Sequence, residues 1–251
     1  MKLALEHPAW SLLYGPYGVQ DVSGALAQLA KQWDQPLADT LYWEMLHHQE
    51  DLYPVTYAAS PWLWEIAPKD LTNLSFLSWI LHCATYPNDL RDLATPRSLI
   101  PGLSSLRYDT SEVFQCERTA LVEQHPTVLL GIEQWCNSHF PTIAERCQAA
   151  LPDCQNPHDI YNLLVGPMAV EGAQKAANVL GMWCDGHDPE TIAEETETWS
   201  EKDLQLSQKW VRLLDQHAPE CGVALRDYAQ LEGGNQITLR CNDTPDLFRK
   251  E

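Results

Sequence analysis

Apolar residues recur along most of this chain at the three-and-four spacing of an α-helix, and strand-like alternation is nearly absent. Asp21 is placed to cap a helix over residues 21–33, with Val22, Leu26 and Leu29 on one face. Pro36 opens a second, in which Leu37, Leu41 and Met45 repeat every four residues and share the core side with Ala38 and Tyr42. Trp43 and His47 turn to the other side. A third helix follows Pro54, with Val55, Ala59, Trp62, Leu63 and Ile66 as its stripe. Pro61 within it removes a backbone hydrogen bond, which predicts a kink. Residues 71–88 carry no charge but hold Thr72, Asn73, Ser75, Ser78 and His82, too polar to cross about 30 Å of hydrocarbon. They are expected as a buried helix, with no membrane span.

Further helix starts are marked by Asp109 with Glu112, by Asn156-Pro157, by Asp188-Pro189 and by Ser200 with Asp203. Together these signals predict about nine to eleven helices. Most should run about 10 to 18 residues with short, proline-rich turns between them, the arrangement of antiparallel helix pairs stacked side by side. Residues 236–241, after Gly233-Gly234, alternate like a strand but have no partner strand, so 233–251 is expected as an extended tail. An irregular link is expected near 87–106, where Pro87, Pro96 and Pro101-Gly102 fall. The whole of 1–251 is read as a single all-helical domain, because stacked helix pairs share one core.

Composition changes that picture mainly through charge. The 251 residues are 45% hydrophobic and 20% charged, as in a globular protein. With 35 acids against 16 lysines and arginines the formal charge is −19, and no basic cluster exists outside Arg249-Lys250. Displacing counterions from a polyanion needs such a cluster, so nucleic acid is excluded as a partner. Such acidity suits a basic protein partner, and it is equally a common route to solubility. The acids concentrate in residues 151–200, where nine of them face Lys175 alone. Glu190, Glu194, Glu197 and Glu201 are spaced by three or four and form one acidic stripe if the helix runs on past Trp199; Asp203 joins them as a candidate partner-binding residue. A capping break at Ser200 would shorten it.

The eight cysteines include no C-x-x-C, and the closest pair, Cys147 and Cys154, has six residues between. That spacing is wrong for a zinc site, so reduced and mostly buried thiols in a cytoplasmic protein are expected. The opening residues meet Glu6 after three apolar positions, which is not the pattern of a secretory signal. His47-His48 beside Glu50 and Asp51 could ligate a metal, but adjacent helical histidines point roughly 100° apart. His82-Cys83 could pair a thiol with a base, but lies in the most apolar helix, where a thiol is inert. No nucleophile elbow, phosphate loop or dinucleotide fingerprint is present. No catalytic residue, cofactor or metal is therefore assigned. Of the ten tryptophans most should be core, whereas Trp43 with His47, and Tyr57 with Trp64, fall off the main apolar stripes and are candidate interface aromatics.

Three segments carry a resemblance. Residues 12–18 read Leu-Leu-Tyr-Gly-Pro-Tyr-Gly and are followed by Asp21-Val22; residues 41–49 end in His47-His48-Gln49; residues 53–63 read Tyr-Pro-Val-Thr-Tyr-Ala-Ala-Ser-Pro-Trp-Leu. The set, covering about residues 10–67, resembles bacterial HEAT-repeat-like proteins, with their Tyr- and Gly-rich lead-in, Asp-Val helix start, His-Gln helix end and Pro-containing helix. The resemblance implies a HEAT-like α-solenoid and a role like that of the immunity or interaction proteins of toxin systems. It supplies no catalytic residues.

The expectation is thus a non-enzymatic, cytoplasmic binding protein that occludes a basic toxin domain. Acids at 185–203 would steer the partner and aromatic side chains would anchor it. The alternatives are a general helical-repeat scaffold or assembly factor, and a helical-repeat enzyme such as a lyase or metal hydrolase.

Overall fold

The computed structural model describes residues 1–49, 51–85 and 112–228. The link expected near 87–106, the cap at Asp109 and the tail at 233–251 lie outside the described residues. Within them the chain forms eleven α-helices and four two-residue strands, so the fold is all-α. A 3₁₀ turn at Pro8–Leu12 leads into a hairpin of β1 (Tyr14–Gly15) and β2 (Gly18–Val19). Helices α1 (Ser23–Lys31) and α2 (Gln35–Thr40) follow, and α2 runs straight into a π-helical turn, Leu41–Leu46. A second hairpin, β3 (His47–His48) with β4 (Asp51–Leu52), connects this turn to α3 (Pro54–Ile66) and α4 (Leu71–Thr85). After the undescribed link come α5 (Gln115–Gln124), α6 (Pro126–Ala149), α7 (Pro157–Val170), α8 (Gln174–Cys184), α9 (Pro189–Glu197), α10 (Glu201–His217) and α11 (Pro219–Tyr228).

Local chemistry accounts for most boundaries. The Asp34 side chain accepts from the Leu37 N–H at 3.3 Å, and that of Asn156 accepts from the Asp159 N–H at 3.0 Å, so each satisfies a donor left free at a helix start. Asp21 accepts from the Ser23 N–H at 2.9 Å, so the helix expected from Asp21 begins two residues later. At α3 the Tyr53 N–H donates to the Thr56 hydroxyl at 3.0 Å, and that hydroxyl in turn donates to the carbonyl of Leu46. This bond ties the end of the π turn to the first turn of α3. Helix α6 spans 24 residues, longer than the expected elements, and contains Pro141 on an exposed face.

The core is centred on α4 and α7, whose contact is the most extensive in the fold. α6 packs on both helices of this pair and also on α3, while α8 packs on α7. The α10 and α11 hairpin and α9 then pack on α8. α3 is buried along its whole first two turns, and α7 from Leu163 to Ala169.

The α4–α7 crossing has a specific cause. Pro167 has no N–H, so the carbonyl of Leu163 loses the donor an unbroken helix would supply. The Ser78 hydroxyl replaces it, donating to Leu163 O at 3.0 Å, and accepts from the Gly166 N–H at 2.9 Å. Gly166 itself lies against the backbone of Ser78, and a Cβ there would overlap the Ser78 carbonyl. Gly166→Ala is therefore expected to cost about 1–3 kcal/mol by overpacking. Ser78→Ala should cost about 1–3 kcal/mol by stranding a buried donor and acceptor. Thermal unfolding checks both: each midpoint should fall by several degrees, and an unchanged midpoint for either would contradict this account of the crossing.

Candidate interaction surface

Helix α9 is held to the core by one side chain, the buried Ile192. Its start is fixed by Asp188, which accepts from the Thr191 N–H at 2.9 Å and from the Thr191 hydroxyl at 2.7 Å. Those bonds hold the Asp188 carboxyl below its ordinary pKa. Beyond this anchor α9 is solvated, and Glu190, Glu194 and Glu197 are all exposed. None of them is paired with a base among the described residues.

The acidic stripe does not continue unbroken. Thr198 ends α9 and Ser200 starts α10 with a capping box, so Glu201 belongs to a new helix axis. Asp203, also expected to bind the partner, is engaged within the chain. Its carboxylate accepts from the Ser200 N–H at 2.8 Å and the Ser200 hydroxyl at 2.7 Å, and pairs with Lys175 at 3.2 Å. Partial burial opposes ionisation there, yet these bonds from Ser200 and Lys175 prevail and lower its pKa. Lys175 also donates to Thr198 O at 3.0 Å. The pole's one base thus clamps the α9–α10 junction through Asp203 and leaves the glutamates unneutralised.

The aromatic candidates separate into exposed and buried. Trp43 is 56% exposed, on the outer side of the π turn. Tyr57 is only 2% exposed, because α3 is surrounded and has no outward face at that position; it is not a surface residue. His47 is also buried, at 8% exposed. The helical wheel that put it outside stops at Leu46, where the backbone becomes extended and turns the imidazole inward against Trp43 and Phe76, at ring distances of 5.1 and 6.0 Å. Trp64 is half-buried and covered by this chain's own Lys69, whose ammonium lies 4.6 Å from the ring centre. Strand geometry also separates the histidine pair: His48 points out and meets Tyr17 at 6.2 Å, so the two cannot share an ion. Among the described residues no group of three or more His, Cys, Asp or Glu is placed to hold a metal.

Beneath Trp43 lies a polar arrangement that periodicity missed. Tyr42 stacks on Phe76 at 3.9 Å and donates to Asn73 Oδ1 at 2.8 Å, while the Asn73 amide donates to Asp70 at 2.9 Å. Burial, then the charges of Asp70 and Asp39, push the Tyr42 hydroxyl pKa up. The available signal was Asn73 inside an apolar helix, since a buried amide needs a partner. The described cysteines are all free thiols. Burial is the main cause that pushes Cys136, Cys147 and Cys221 up to about 12 and Cys154 to about 11, which makes them poor nucleophiles.

Compared with known proteins, the chain matches no family model, no curated protein and no solved structure. Among the described residues no helix is long and apolar enough to cross a membrane.

The buried His47 generates a pH dependence. Burial lowers its pKa, and the nearby Gln49 backbone offsets only part of that; neither ring nitrogen has a hydrogen-bond partner of good geometry. The unfolded chain takes up the proton near its ordinary pKa of about 6.5, whereas the folded chain resists it. Stability should therefore fall as pH drops below about 6.5 and level off only below the depressed folded value. In urea titrations from pH 7.5 to 5, His47→Phe should remove part of this loss, and an unchanged slope would show that His47 does not carry it.

Proposed function

We propose that this protein is a non-enzymatic binding module, a cytoplasmic immunity protein that binds and occludes a basic toxin domain. On this reading the helices pair and stack as a HEAT-like α-solenoid, the arrangement that the resemblance over about residues 10–67 implies. The observation that carries the reading is the exposed, unneutralised set Glu190, Glu194 and Glu197 on α9, with Glu201 following on α10. An uncompensated acidic field raises the encounter rate with a cationic partner and disfavours polyanions.

One observation favours a second reading, a scaffold that engages more than one partner. α9 packs on α8 and α11, whereas the turn carrying Trp43 packs on α2, α3 and β3, so the charged and aromatic features belong to different elements. Affinity capture from the native host, washed at rising salt, separates the two. A single stoichiometric basic partner, toxic when expressed alone, fits the immunity reading; several partners lost at modest salt fit the scaffold. A metal retained at unit stoichiometry would instead favour a helical-repeat enzyme.

With such a partner in hand, the triple substitution Glu194→Lys, Glu197→Lys and Glu201→Lys should slow association by about tenfold at low ionic strength. The difference should shrink as salt approaches about 0.5 M, where the Debye length is only a few ångströms. Stopped-flow association kinetics check this, and equal rates for variant and parent would overturn steering by α9.

A further inference from the structure

We propose that Trp43, with the exposed carboxylate of its neighbour Glu44, docks an arginine-bearing segment of a partner polypeptide. The inference rests on the reading of a cationic protein partner but uses none of the residues of α9. Trp43 leaves more than half of its surface in water, and the neighbouring hairpin adds Tyr17, 73% exposed, whose ring meets His48 of β3. The indole is held rigidly. It meets His47 edge to face at 5.1 Å and Phe76 at 5.8 Å, and Phe76 is fixed by its stack on Tyr42. An aromatic side chain ordered before binding loses little entropy on contact, which is the property of interface anchors.

This chain covers other indoles at its surface with its own cations. Lys2 lies 3.7 Å from the centre of the Trp62 ring, and Lys69 lies 4.6 Å from that of Trp64. Among the described residues Trp43 has no such cover. The neighbouring charge is of the sign that attracts one: Glu44, next to it in sequence, is exposed, whereas Asp39 and Asp70 accept hydrogen bonds from Gln35 and Asn73. Lys69, next in sequence to Asp70, is held by the Trp64 ring and the carbonyls of Trp64 and Ala67. An arginine suits the site better than a lysine or an apolar side chain. Its planar guanidinium stacks on indole while its N–H groups can reach the Glu44 carboxylate, from which an apolar group gains nothing.

The test uses the full chain, labelled with nitrogen-15, and a short synthetic peptide repeating glycine, serine and arginine. Two control peptides replace arginine with citrulline or with leucine. The Trp43 indole resonance is assigned by its loss in Trp43→Phe, and far-ultraviolet circular dichroism confirms that each variant is folded. The arginine peptide should shift the Trp43 indole saturably. Trp43→Ala should weaken its affinity about fivefold and Glu44→Gln about twofold. The α9 triple lysine variant should keep the Trp43 shift. No shift at Trp43, undiminished affinity in Trp43→Ala, or equal shifts with the citrulline or leucine peptides would overturn the proposal. Loss of peptide binding in the α9 variant with Trp43→Ala unaffected would place the cation on α9, overturning this site while leaving the proposed function standing.

Discussion

The hydroxyl of Ser78 is the interaction on which the rest of the fold depends. Pro167, in the last turn of α7, leaves the carbonyl of Leu163 without its helical donor in a buried stretch, where an unmet hydrogen bond is expensive. Ser78 meets it from the facing helix, and Gly166 allows the approach because it has no side chain to intervene. The register of α4 on α7 is therefore set at this point, α6 packs on both helices and α8 packs on α7. A sliding apolar contact would not define the register of the two helices so narrowly, because dispersion is non-directional and a hydrogen bond is not.

The two candidate surfaces follow from this frame. β4 packs against α4, and Phe76 of α4 is the ring against which Tyr42, Trp43 and His47 are organised. α9, by contrast, reaches the core only through Ile192 and the layer formed by α8 and α11. A helix attached so lightly is free to be polar on nearly every face, which is why the acids of residues 190–197 need no partners within the chain. Lys175, the one lysine of residues 151–200, is engaged at the α9–α10 junction, where Asp203 satisfies a helix start and an ion pair with the same oxygen.

Much of this was legible in local sequence. The starts at Asn156-Pro157, Asp188-Pro189 and Ser200 with Asp203 were readable because a cap needs only residues three positions apart, and each forms in the structure with the expected side chain. The burial of α4 was readable from its uncharged run. The candidate site was less legible. Glu190, Glu194 and Glu197 are exposed as periodicity implies, but Asp203 is committed to a cap, and Tyr57 and His47 are inside.

The reason for the division is the range of the forces concerned. Helix content, caps, net charge and the sign of the field are set by neighbours along the chain or by a sum over it, so the sequence by itself determined that the protein is all-α and that its surface at residues 185–201 is acidic. Which face of a helix meets water depends on what packs against it, and the first two turns of α3 are buried throughout, so they offer no polar face for Tyr57 to occupy. Where a helix stops being an α-helix is likewise a tertiary outcome. The π turn at 41–46 and the strand at His47 are tied to distant chain by Tyr42 on Asn73 and by Thr56 on Leu46. Only those bonds decided that Trp43 faces solvent and His47 the core.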